Sequence, residues 1–122
     1  NNSDLELKKI KLVNYLLEKI SVEFGQDKRI FLIHIPYNIE VDLNLWKDTF
    51  GKQPDNYDQF GAEKKIFEAL KGTKIDFIPT LKIMQNENIR SNNGIYLKQD
   101  GHLSALGNKI ISQIYDKYDL KN

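Results

Sequence analysis

Residues Ile30-Phe31-Leu32-Ile33-His34-Ile35 are apolar with a single interruption, and Pro36 follows. Apolar and polar positions do not alternate, so the run cannot be a strand with one wet face. It predicts a strand buried on both faces, as in a parallel sheet covered by helices. Pro36 has no N–H for a ladder and ends it. A second run, Lys74–Ile78, reads as another strand and is ended by Pro79. Around these lie helical patterns. Ser3-x-x-Glu6 resembles a capping box. Behind it Ile10, Val13, Leu17, Ile20 and Phe24 recur at spacings of three and four, which predicts a helix over 4–24 with Gly25 as its stop.

A short helix is expected near 42–49. Its Trp46 and Phe50 are read as core in preference to the lining of a substrate entrance, with a loop over 51–56 carrying Pro54. A longer helix over 58–71 should turn Phe60, Ile66, Phe67 and Leu70 inward and stop at Gly72. Thr80–Met84 suggests a short helix, Asn86–Gly94 a polar surface loop, and Ile95–Leu97 a short extended piece. A closing helix over 103–118 would bury Leu103, Leu106, Ile110, Ile114 and Tyr118. Gly107 inside it costs about 1 kcal/mol relative to alanine, so another backbone should approach there.

Strands separated by helices imply right-handed crossovers and a parallel sheet. Two or three strands are few for so many helices. The expectation is therefore α/β: a partial three-layer α/β/α sandwich with a short parallel sheet, flavodoxin-like, belonging to a larger domain. The chain starts Asn1-Asn2 and its only methionine is Met84, which suggests a processed form or part of a longer product. With 122 residues, 40% hydrophobic and 29% charged, it is globular rather than disordered.

Bulk composition removes several function classes. Net charge is +1, from 18 basic and 17 acidic residues, which gives no electrostatic case for nucleic acid. No apolar run is long enough to span a bilayer. There is no cysteine, hence no disulfide, thiol nucleophile or thiolate metal site. The cluster Lys8-Lys9-Ile10-Lys11 reads as a solvated helix face.

The chemistry is concentrated in Tyr96 and Asp100-Gly101-His102-Leu103-Ser104, running into Ala105-Leu106-Gly107-Asn108. Asp100 and His102 are two apart, and in an extended segment both side chains would lie on one side. Gly101 between them would let the chain bend. A carboxylate beside an imidazole can fix its tautomer and stabilise its charged form. Two other readings stay open: an Asp-Gly turn with His102 near a helix N-terminus, and metal ligation. The latter would need several further carboxylates, since the only other histidine is His34, read as structural at its strand end. No cofactor or metal is expected.

This stretch resembles the last conserved block of the SGNH/GDSL hydrolases, an Asp-x-x-His or Asp-x-His followed by small residues and a glycine within the closing helix. The resemblance is sharpest over 95–115 and extends weakly to Ile30–Pro36 and Ile75–Pro79. It implies a three-layer α/β/α sandwich and hydrolysis of esters or carbohydrate acetyl groups by a Ser-His-Asp triad. Asp100 and His102 would be catalytic. The substrate would be a small ester or an acetylated glycan, and the setting would lean to the extracytoplasmic side. The family's Gly-Asp-Ser, oxyanion-glycine and Gly-x-Asn-Asp blocks have no counterpart here. Ser3, Ser21, Ser91, Ser104 and Ser112 are the only serines, and none has the nucleophile's context. Ser104 reads as a helix cap.

The nucleophile is accordingly expected outside the chain, on an N-terminal remainder of the same protein or on another chain. Residues 1–122 would then be a single domain or the C-terminal segment of an SGNH-hydrolase-like domain. The alternative is a non-catalytic SGNH-like binding or structural module.

Overall fold

The structure is a computed structural model describing residues 2–52 and 57–121. The part of the expected 51–56 loop that carries Pro54 lies outside the described residues. The elements in chain order are α1 (Asn2–Phe24), β1 (Ile30–Ile33), α2 (Asn38–Val41), α3 (Leu43–Phe50), α4 (Gly61–Ala69), β2 (Ile75–Ile78), α5 (Leu81–Arg90) and α6 (Ala105–Leu120). The fold is mixed α/β, with β1 and β2 in a short parallel pair. Those are the only strands among the described residues, together with one isolated bridge. The expected burial of β1 on both faces does not hold. All four of its residues are half-buried, because a strand with a single partner lacks the neighbours that would shield it.

The chain divides into two compact units. The first comprises residues 1–32 and 61–77. Here α1 packs on α4, but not by the expected stripe. Val13, Ile20 and Phe24 are exposed, and the inward face is Ile10, Asn14, Leu17 and Ser21. Two polar side chains on that face explain why. Asn14 Nδ2 donates to the carbonyls of Ala69 (2.8 Å) and Lys71 (2.9 Å), where α4 ends and its last carbonyls need partners. The Ser21 hydroxyl accepts from the Lys74 N–H at 2.9 Å. Periodicity of apolar residues cannot register a face held by hydrogen bonds.

Other local expectations divide. Helix α1 is already running at Ser3, so the proposed capping box is not its start. The expected 58–71 helix is shorter, α4 ending at Ala69, and Gly72 follows in the turn at φ +77°, where only glycine is at ease. Phe67 is exposed rather than inward. Lys65 pairs with Glu6 at 2.7 Å and holds that exposed carboxyl below its ordinary range, with Lys9 adding to the effect. The Ser21→Ala variant should lose about 1–2 kcal/mol in chemical denaturation, because it leaves the Lys74 N–H without its acceptor.

The second unit comprises residues 33–60 and 78–122. Its core is Val41, Ile78, Thr80, Leu81, Met84 and Ile95, all essentially inaccessible, with Tyr96, Ile110 and Ile114 around them. His34 is buried. Its N–H donates to the Ile78 carbonyl at 3.2 Å and its own carbonyl accepts from the Thr80 hydroxyl, a structural position as expected.

Helix α5 runs six residues past the Thr80–Met84 segment. The expected loop at 86–94 is therefore helical through Arg90, and only Ser91–Gly94 turns. Asn88 explains the difference: it is buried and bonds Asn93, whose φ is positive. Trp46 and Phe50 are not core. They stack with Tyr57 in a partly exposed aromatic chain, with ring centroids 4.6 and 4.3 Å apart. Leu106 is likewise more exposed than expected. Gly107 behaves as the sequence requires. A Cβ there would lie 2.3 Å from the Ile95 carbonyl oxygen.

Candidate active site

Residues Ile95 to Ser104 form a tight antiparallel return that presents Asp100 and His102. The Ser104 N–H donates to the Ile95 carbonyl at 2.7 Å, Tyr96 and Leu103 form a bridge, and the Leu97 N–H donates to the His102 carbonyl at 2.9 Å. Ser104 is the N-cap of α6, its hydroxyl accepting from the Gly107 N–H at 3.1 Å and donating to the Gly94 carbonyl at 2.6 Å. The loop is thus anchored at its base by a backbone ladder and a capped helix.

The bend is not made by Gly101. Gln99 holds the left-handed conformation, at φ +60°, and the space around Gly101 is open. Nor is the Asp100–His102 stretch extended. Asp100 Oδ1 accepts from the His102 N–H at 3.1 Å, the closure of an Asx turn. The same oxygen meets His102 Nδ1 in a short hydrogen bond. The two-residue spacing does bring the side chains together, through a turn rather than a pleat.

Asp100 is held below the usual carboxylate range, first by the His102 imidazole and then by the His102 N–H. Both side chains face solvent, His102 at 84% exposure. In high dielectric such a pair adds little to stability. What it supplies is orientation: with Nδ1 engaged by a carboxylate, Nε2 is the nitrogen left to exchange a proton with a second group.

His102 borders a shallow depression of about 350 Å³. Its other walls are Ile35-Pro36-Tyr37, Tyr96, Leu103 and Asn108. The segment 35–37 follows β1 after His34, so the depression is lined by the chain that leaves the carboxyl end of a parallel strand, where α/β sheets place their sites. That rule could have drawn attention to Tyr37, and sequence reasoning assigned it nothing. Tyr96 closes the back wall, its hydroxyl donating to the Pro36 carbonyl in a short hydrogen bond.

Burial, and after it the negative Glu40, push the Tyr96 phenol up to about 12. The unfolded chain would release that proton near 10. Between those values the unfolded state binds fewer protons, so stability should fall as pH rises through this window. The Tyr96→Phe variant should lose about 1 kcal/mol at neutral pH and lack that alkaline loss, as read by denaturation at pH 7 and from pH 9 to 12.

No serine lines the depression. The hydroxyls of Ser91 and Ser104 bond within their own turns, that of Ser21 accepts from Lys74, and Ser112 lies exposed on α6. Among the described residues, no group of three or more histidines and carboxylates is placed to hold a metal ion. Comparison with known proteins returns no family model, no curated protein and no solved structure that matches the chain.

Proposed function

We propose that this chain is an SGNH/GDSL-like module that supplies the Asp-His half of a Ser-His-Asp relay for hydrolysing esters or carbohydrate acetyl groups. The observation that carries the reading is the contact between Asp100 Oδ1 and His102 Nδ1 on a braced loop beyond the end of β1. In the proposed relay, His102 Nε2 takes the proton of a serine hydroxyl as its oxygen attacks the acyl carbon. It then returns the proton to the departing alkoxide. Water repeats the exchange on the acyl-serine and frees the acid. Asp100 keeps the imidazole in the Nδ1–H tautomer and stabilises its cation.

The serine and the oxyanion donors come from outside residues 1–122, on the same protein or on another chain. Their strands complete a three-layer sandwich on the β1–β2 pair. The substrate is a small ester or an acetylated glycan, and the setting is extracytoplasmic.

The lack of a serine around the depression also favours a second reading, an SGNH-like module that binds rather than cleaves. Assay of residues 1–122 with p-nitrophenyl acetate separates these readings from a self-sufficient enzyme. The rate should not exceed that of free imidazole, because no nucleophile here is held against its base. Robust turnover lost on replacing one of the chain's own serines would overturn both.

A further inference from the structure

A second depression, of about 320 Å³, lies between α5 and α6 in the second unit and shares no residue with the one at His102. Its floor is Ile78, Ile110 and Ile114, each less than a tenth exposed, and Ile83 of α5 stands at its mouth, 45% exposed. Along α6 and its C-cap, Ile110, Ile114, Lys117 and Lys121 follow one another at spacings of three and four, so the apolar stripe continues into two lysines. They lie about 14 Å or more along α6 from Asn108, at the end away from His102.

The charged residues around this opening are Glu87, Lys117 and Lys121. Glu87 on the α5 wall is engaged by Arg90 at 2.8 Å, whereas neither Lys117 nor Lys121 forms an ion pair among the described residues. Favourable ends for cations at a helix C-terminus account for two lysines there. They do not account for an open isoleucine-lined hollow beneath them. Such a hollow fits an apolar chain, and the two ammonium groups beside it fit one anionic head.

We infer that the groove between α5 and α6 binds a medium-chain fatty carboxylate, its alkyl chain over Ile78, Ile110 and Ile114 and its head at Lys117 and Lys121. This site stands independently of the relay.

The test is titration of the chain, methyl-labelled at isoleucine, with decanoate below its micelle-forming concentration. Saturable shifts are expected at Ile83, Ile110 and Ile114. Octanoate should bind more weakly by roughly fourfold for each methylene lost. The doubly substituted Lys117→Gln, Lys121→Gln variant, altered only at exposed positions, should bind about fivefold more weakly, and decylammonium should not compete. The Ile83→Gln variant, also at an accessible position, should weaken binding with the fold retained by circular dichroism. Absence of saturable shifts at those methyls, equal binding of decylammonium, or saturation by an acidic amphipathic peptide where decanoate fails would each overturn the assignment.

Discussion

The Gly107→Ala variant is expected to be less stable than the native chain by about 3 kcal/mol, although helix propensity alone would favour alanine by about 1 kcal/mol. The opposite signs make the measurement decisive. The added Cβ would sit 2.3 Å from the Ile95 carbonyl oxygen, 3.0 Å from Leu103 Cδ2 and 3.1 Å from Ile95 Cγ2. The first of these is backbone, and it is fixed: the Ile95 carbonyl accepts from the Ser104 N–H at 2.7 Å. Relief therefore requires α6 to move off the Ile95–Ser104 return or that hydrogen bond to break. Ile95 is fully buried, so either movement opens the core. Bulkier side chains should fail to give a cooperative transition at all. Chemical denaturation of the alanine variant reads the effect, and a gain in stability would show that α6 does not lie against Ile95.

The second large effect concerns chemistry. In the protein carrying the complementing serine, His102→Ala should lower kcat/KM for ester hydrolysis by about 10⁶. That is about 8 kcal/mol of transition-state stabilisation. Asp100→Asn should lose about 10⁴ while the far-ultraviolet spectrum stays unchanged. The amide can still accept from the His102 N–H and keep the turn, but its oxygen carries no charge to stabilise the imidazolium. The alanine variant also releases the Asp100 carboxyl from its main partner, so its titration should rise toward the ordinary carboxylate value. Carboxyl carbon shifts followed against pH read that change separately from turnover. A full-rate His102→Ala enzyme would remove His102 from the reaction.

The sequence announced some of this architecture because single residues carry unmistakable constraints. Pro79 bounds β2, Gly72 needs its positive φ, Gly107 needs room for a carbonyl, and Ser104 needs to cap α6, whereas β1 ends at Ile33, before Pro36 is reached. The pairing of Asp100 with His102 was legible from their spacing, though the turn that produces it relies on Gln99 and an Asx closure.

What escaped was decided by partners far along the chain. Asn14 and Ser21 choose the inward face of α1 by bonding backbone more than fifty residues away, and apolar spacing carries no trace of that. Asn88 looks like loop material until its burial against Asn93 is seen, so α5 read too short. Trp46 and Phe50 suggested core by composition, yet satisfy themselves by stacking near the surface. Tyr37 gave no local signal, because its place beside His102 depends on where β1 delivers the chain.

The central claim is that His102, oriented by Asp100, serves as base to a serine outside residues 1–122. Fluorophosphonate labelling of the full gene product, with any chain that copurifies, measures this most directly, since the probe captures a serine only when a neighbouring base activates it. The account predicts one labelled serine lying outside these residues, with labelling lost in both His102→Ala and Asp100→Asn. Absence of any labelled serine, or labelling that persists unchanged in the His102→Ala variant, would contradict it.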